Sequence, residues 1–464
     1  MVLADVFDCF AQQSPFAVMT RAALENVFSP DRLDAIFDAT PSRQRSGELL
    51  FSTVADLMGS VVTNVHPSVN AAYRAKAEEI GVTVKAVYDK LKGIEPHVSR
   101  SLVRETASHM AAIIEKTGGK AADLLPGFRV KIVDGNHLRR TDRRIKALRE
   151  GNVAPLPGKS LVVFDPALRL AIDVIACEDG HAQERRLLPQ LAETIAPGDV
   201  WFADRNFCTT GFLSAFFTAR SHFVIRQHGQ SLSWELEGRR KKIGKIETGV
   251  VYEQSMRIVD ADGCERQVRR ITVKLNEPTR DGDEEIHVLT NLPRKVSARK
   301  IAELYRGRWK IETAFQEMAE NLRGEINALG YPKAALFGFC MALVSYNVLS
   351  VTKAAVAAAH GQEAADALST YYVADEIAAT YRGMMIVITA NFWTKRFAAL
   401  TPAKMARALT DIAGHIDLKR YRKNPWTPKQ RTKHKGRLPP RKHVSTARVL
   451  EEQKVGSISH KSRK

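Results

Sequence analysis

The sequence predicts a mixed α/β protein: an all-helical N-terminal region, a mixed-sheet core carrying a β-rich insertion, a second helical region and a basic tail. Three observations carry this reading. Before residue 120, the runs LENVFSPDRLDAIFDA, SGELLFSTVADLMGSVV and VSRSLVRETASHMAAIIEK place apolar residues at three- and four-residue spacing. From residue 128 the pattern turns to β-rich runs, FRVKIVDGNHL, KSLVVFDPAL and RLAIDVIACED. Residues 419–464 hold 16 Lys and Arg against two acids, Glu451 and Glu452.

The helical region is expected to close at Thr117-Gly118-Gly119 and Pro126-Gly127, giving a domain over 1–125. Within it, GVTVKAVYDKLKGIEP offers Thr83 as an N-cap for a short helix bearing Lys85, Lys90 and Lys92, with Gly93 and Pro96 as its stop. A basic helix of this kind is either a solvated face or one that enters a DNA groove. After the three strands come a helical stretch, AQERRLLPQLAETIA, a strand, DVWFADRNF, a helix, TGFLSAFFTA, and a strand, SHFVIRQ. Residues 229–285 interrupt this pattern with turn-rich, basic, β-prone sequence and read as an insertion. EEIHVLTNLP returns to strand character, and Ser297 starts a helix expected to run to about Gly324. Residues 331–418 are expected to be helical. They include the apolar stretch AALFGFCMALVSYNVLSVTKAAVAAA, which reads as a buried helix because Ser345, Asn347, Ser350 and Lys353 interrupt it.

The 464 residues suffice for two to four domains at roughly 100–200 residues each. With 70 Lys and Arg against 51 Asp and Glu the chain is formally +19, which points to a polyanionic partner. Most of that excess lies in the tail over 419–464, whose Pro-rich sequence predicts an extended, flexible arm that holds phosphates or simply keeps the chain soluble. Tyr421 and Trp426 within it are candidates for stacking on bases. The five cysteines are scattered, which argues against a disulfide scaffold and a zinc finger. The first residues, MVLADVFDCFAQQ, lack a basic n-region before an apolar one, so no signal peptide is expected.

Three acids are candidates for the chemistry. Asp134 follows the apolar strand VKIV and precedes Gly135, so it is expected at a strand end; Asp204 ends DVWFAD in the same way; Glu312 lies in the helix containing ELYRGRWKIETAF. A lone acid at a strand end is usually a turn or cap. Three grouped together are costly to bury unless cations compensate, and hard Mg²⁺ accepts carboxylates while keeping positions for phosphate oxygens. Two such ions support in-line phosphoryl displacement. Tyr305, Arg308 and Glu312 are spaced three and four apart, hence on one helix face, either as a surface ladder or as a phosphate grip with Arg308 as a fork. Arg226, in FVIRQ, is read as a phosphate contact or a sheet-edge ion pair. Trp234, a lone aromatic in the insertion, reads as core. Asp142, Asp165 and Asp173 are nearby acids, with Asp173 the strongest rival to Asp204 and Asp165 read as a turn.

VKIVDGNHLRR, DVWFADRNF, the β-rich insertion and LTNLPRKVSARKIAELYRGRWKIETAFQ resemble the DDE transposases of the insertion-sequence-four family over about residues 10–400. The helix with Y-(2)-R-(3)-E-(6)-K spacing is the most specific part. The resemblance implies an RNase H-like core over 126–228 and 286–330, with Asp134, Asp204 and Glu312 as the catalytic and metal-binding triad. Tyr305 and Arg308 would be the first two signature residues and bind DNA, and Trp234 would be the aromatic of the insertion that holds a displaced base. At the last signature position the family carries Lys and this chain has Ala319. Arg323 is a candidate to replace it, since three helical turns return it to nearly the same face.

The function expected is a Mg²⁺-dependent DNA transposase using two ions, with Mn²⁺ able to substitute. It would bind double-stranded element ends and target DNA, through Arg226, Lys85 and Lys90 among others, and act as a homodimer in the synaptic complex. It would work in a prokaryotic cytoplasm at the nucleoid, with no membrane partner. The rivals are an RNase H-like nuclease that stops at hydrolysis and a noncatalytic DNA-binding regulator.

Overall fold

The computed structural model describes residues 2–40, 44, 47–138, 145, 148, 153–229, 232–279, 282–324, 326, 329–424 and 442–461. Asp142, Trp426, the side chain of Ala319 and the rest of the basic run 425–441 lie outside the described residues.

The strands are β1 (Arg129–Leu138), β2 (Val153–Leu156), β3 (Gly158–Asp165), β4 (Leu170–Cys177), β5 (Asp199–Ala203), β6 (His222–Arg226), β7 (Trp234–Ile246), β8 (Gly249–Val259), β9 (Glu265–Leu275), β10 (Glu285–Thr290) and β11 (Lys442–Ser445). Nine of them form one mixed sheet in the order β4-β3-β1-β5-β6-β10-β9-β8-β7. β1, β3 and β4 pair antiparallel, whereas β1, β5 and β6 run parallel. Parallel neighbours need a crossover, which the Thr210–Thr218 helix supplies between β5 and β6. This is the mixed α/β sheet of an RNase H-like core. The insertion extends it: β10 pairs antiparallel with both β6 and β9, so β7–β9 prolong the same sheet.

Alternation along the central strands separates two cores. Ile132, Phe202 and Val224 face one side, and Val133, Trp201, Ala203, Phe223 and Ile225 the other. The second side is covered by the Leu188–Ala192 and Thr210–Thr218 helices. The first shares one core with helices from both ends of the chain, including Pro15–Val27, Phe51–Val62, Pro96–Thr117, Pro332–His360 and Pro402–Ala413. Gly118, at φ 75°, ends the Pro96–Thr117 helix in the left-handed conformation that glycine adopts without strain.

Pro332–His360 is, among the described residues, the one helix long and apolar enough to cross a membrane, and its most apolar window is entirely buried inside the protein. The polar residues that interrupt it have structural partners. Asn347 donates to the carbonyl of Ala171 and accepts from its N–H, both at 2.8 Å, satisfying the outer edge of β4. Ser350 donates to Arg169 O at 2.7 Å. The half-buried Lys353 reaches Thr370 and Glu317, at 3.0 and 3.4 Å.

The tail corrects the expectation of a wholly extended arm over 419–464. Tyr421 is buried, its ring centroid 4.8 Å from that of Phe16 and its hydroxyl donating to Glu376. β11 pairs in parallel with β2, and the Thr446–Lys461 helix follows, tied through Arg448 to Asp179 at 2.7 and 2.9 Å. Charge counting hid these elements because it weighs residues irrespective of the apolar contacts made by a few of them. Truncation after Leu418 should therefore destabilise the chain by about 3–5 kcal/mol more than truncation after Asn424, the cost of deleting a large buried ring. Urea unfolding of the two truncations checks this; equal midpoints would contradict it.

Candidate active site

β1 and β5 run parallel with Ile132 opposite Phe202, so two residues further along each strand come Asp134 and Asp204. Period-two alternation then directs both aspartates to the face of Ile132 and Phe202. The helix Trp309–Asn321 lies on that face, burying Ile311, Ala314 and Met318 in its core, and presents Glu312. Lys353 pairs with Glu317 of this helix, anchoring it to the buried Pro332–His360 helix.

Two details differ from the expectation. Asp134 lies within β1, opposite Val162, because pairing with β3 continues as far as Leu138 and Gly158. Asp204 does follow directly on β5, and there it caps a 3-10 turn by accepting from Asn206 N at 2.8 Å. The expected single helix over 297–324 is two, Ala298–Arg306 and Trp309–Asn321. At the junction Gly307 and Arg308 bond back three residues, to Leu304 O and Tyr305 O, tightening the turn and pausing the helix.

Arg308 at that junction joins two of the acids. Its Nη1 donates to Asp134 Oδ2 at 2.7 Å and its Nη2 to Glu312 Oε1 at 3.0 Å, with only 11% of its side chain exposed. Burial works against its charge, but Asp134, Tyr305 and Glu312 outweigh it and hold the guanidinium firmly protonated. Burial pushes the Asp134 carboxyl up to about 6, with Asp204 and Glu312 adding repulsion that Arg308 and the Gly135 N–H only partly offset. Burial also raises Asp204, against the Asn206 N–H and Arg308. Tyr305 is pushed up to about 12 by burial, so its hydroxyl keeps its proton and remains a donor.

The raised Asp134 has a measurable consequence. A carboxyl that holds its proton more tightly when folded leaves stability unaffected below about pH 4 and lowers it as pH rises from 4 to 6. A shift of about two units corresponds to about 3 kcal/mol at most. In chelator-treated buffer, Asp134→Asn should gain stability over the wild type between pH 4 and pH 7. Urea unfolding at both values checks this, and a difference that does not grow with pH contradicts it.

The other expected site residues are distributed differently. Arg226 ends β6, inside the sheet between β5 and β10, and donates from Nη2 to Asp283 Oδ2 at 2.7 Å. It lies close enough to Tyr305 to offset part of the rise that burial causes in that hydroxyl's pKa, and it lines a 230 Å³ cleft with Arg205, His228, Asp283 and His287. Trp234 opens β7 and is 39% exposed, with Arg270 5.9 Å from its ring centre.

Arg323 does not return to the Glu312 face. The helix ends at Asn321, and Arg323 instead donates from Nε to Asn64 Oδ1 at 2.6 Å and from Nη1 to Pro67 O. Asn64 sits at φ 62° just beyond the Phe51–Val62 helix and also donates to Asn321 O, so Arg323 acts as a clasp between segments. Lys85 is exposed on the Val84–Gly93 helix, but Lys90 turns its ammonium to within 4.3 Å of the Phe37 ring centre, where burial lowers its pKa. Asp173 is held bidentate by Arg100, at 2.9 Å for each bond. Asp165 accepts from the N–H groups of Ala167 and Leu168 and from Arg129, closing the turn after β3.

Oxygen donors of this kind suit a hard divalent cation. As they stand, no three His, Cys, Asp or Glu side chains among the described residues are grouped closely enough to enclose one, and the Arg308 guanidinium lies on both Asp134 and Glu312. The donor chemistry fits; the arrangement requires Arg308 to turn aside.

Residues 126–348 match the family model described as "Transposase DDE domain". A curated protein of Sinorhizobium fredii, described as "Putative transposase y4zB", is 29% identical over 199 residues, which cover 42% of this chain and 52% of that relative. The match thus spans about half the length of the relative. DDE transposases generally use divalent metal ions. Residues 126–348, just under half of the chain, are thus similar to a transposase DDE domain.

Proposed function

We propose that the protein is a DNA transposase of the insertion-sequence-four type, which hydrolyses a phosphodiester at each end of an insertion element and directs the freed 3′-OH at a phosphate of target DNA, forming the new phosphodiester as the target strand's own 3′-oxygen leaves. The reading is carried by one observation: two adjacent parallel strands and a packed helix direct Asp134, Asp204 and Glu312 to one face of the sheet, with Arg308 between two of them. The three carboxylates would hold divalent cations, Mg²⁺ or Mn²⁺, which lower the pKa of an attacking water and neutralise charge on the reacting phosphate.

The chain's own residues have separable tasks in this reading. Asp134 is ionised above about pH 6 and accepts a hydrogen bond from Arg308 until substrate arrives. Arg308 offers a planar fork that suits a phosphate as well as a carboxylate, so a DNA phosphate can take over its hydrogen bonds. The protonated Tyr305 donates to the same backbone. Helices within 1–125, the insertion over 229–285 and the basic tail supply further contacts to duplex DNA. Joining two ends requires two copies of the chain. The test supplies pre-cut element ends, a target plasmid and Mg²⁺. Joined products are expected; cleavage without joining would assign an RNase H-like nuclease instead.

A further inference from the structure

The strongest unassigned feature beside the triad is Glu184, in the Glu184–Leu187 3-10 turn between β4 and β5. It approaches β1 from the face opposite Asp134. A Cβ on Gly135 would come within 2.4 Å of Glu184 Oε1, so the glycine beside Asp134 leaves the space this carboxylate occupies. Glu184 Oε2 accepts from Asn206 Nδ2 at 3.2 Å, and Asn206 is the residue whose backbone N–H caps Asp204. Its other oxygen lies 3.7 Å from the buried ammonium of Lys159, which also donates to Ala182 O at 2.9 Å and so is fixed in place. One carboxylate therefore touches the backbone position after Asp134 and the side chain two residues after Asp204.

We propose that Glu184 is a positioning residue of this active site, bracing the Asp204 turn against β1 and adding a fourth negative charge that favours divalent-cation binding. The inference rests on the proposed role of Asp134 and Asp204 as cation ligands. Its charge is already felt at Asp204, whose pKa it helps to raise. Bracing and charge are separable by mutation. Glu184→Gln keeps an oxygen to accept from Asn206 and removes the charge; Asn206→Ala keeps the charge and removes the brace.

The test is calorimetric titration of the full chain with Mn²⁺ in the absence of DNA, beside circular dichroism to establish that each variant is folded. Glu184→Gln should weaken Mn²⁺ binding about tenfold, the effect of about 1.4 kcal/mol, and Glu184→Asp should restore part of it. Asn206→Ala should weaken it by a smaller factor. Asp134→Asn serves as the reference and should abolish the tight phase. If Asp134→Asn abolishes binding while Glu184→Gln and Asn206→Ala both match the wild type, the Glu184 inference is overturned and the triad reading stands. If Asp134→Asn also leaves Mn²⁺ binding unchanged, the site reading and the inference built on it fail together.

Discussion

Asp134→Asn, Asp204→Asn and Glu312→Gln should each lower cleavage of element-end DNA by about a thousandfold or more, the scale of effect found when a member of an interdependent catalytic group is removed. Duplex binding should persist in all three, because backbone affinity comes from Lys and Arg contacts and counterion release. Asp173→Asn is the control. Its carboxylate is committed to Arg100, so its loss should lower stability and leave cleavage by the folded fraction intact. Gel-resolved cleavage rates beside a binding titration separate these outcomes. Wild-type cleavage by any of the three triad variants would remove that residue from the chemistry.

Arg308→Ala carries the second large effect, and it should act in opposite directions on two measurements. Removing the guanidinium frees Asp134 Oδ2 and Glu312 Oε1, so Mn²⁺ should bind the DNA-free protein more tightly, by about tenfold for each 1.4 kcal/mol of competition relieved. Cleavage should nevertheless fall by about a hundredfold or more, since a preorganised phosphate contact is lost. The pH at which cleavage begins should also rise, because Arg308 is the strongest influence holding the Asp134 pKa down. Arg308→Lys keeps a charge without the fork and should fall between. Weaker Mn²⁺ binding in Arg308→Ala would mean that Arg308 organises the carboxylates instead of competing with a cation.

The legible parts of this protein were those governed by local periodicity. Alternation in VKIVD and DVWFAD marked the strands that carry Asp134 and Asp204, and apolar spacing marked helical sequence around Tyr305 and Glu312, though not the break at Gly307 and Arg308 that puts them on two helices. What local pattern does not encode is pairing. Asp134 looked like a strand end because Gly135 follows it, yet β3 supplies partners as far as Leu138, and the glycine serves the approach of Glu184. Arg323 looked like a substitute for a missing Lys only if the helix continued; it stops at Asn321, and Asn64, more than 250 residues away, claims the guanidinium. Glu184 gave no signal in AQERRLLPQL, since its partners Lys159 and Asn206 are brought to it by the sheet. Asn347 and Lys353 read as interruptions of an apolar helix, and their roles became visible only with the edge of β4 and Glu317 beside them.

The central claim is that Asp134, Asp204 and Glu312 form one divalent-cation site. Fe²⁺ can replace Mg²⁺ in an oxygen-donor site and, with ascorbate and peroxide, generates radicals that cut the polypeptide close to the bound ion. With Fe²⁺ supplied to the DNA-bound protein, fragments should map near residues 134, 204 and 312 together, and excess Mg²⁺ should suppress all three cuts in parallel. Cuts at other positions, or cuts at these that Mg²⁺ does not suppress, would contradict the account.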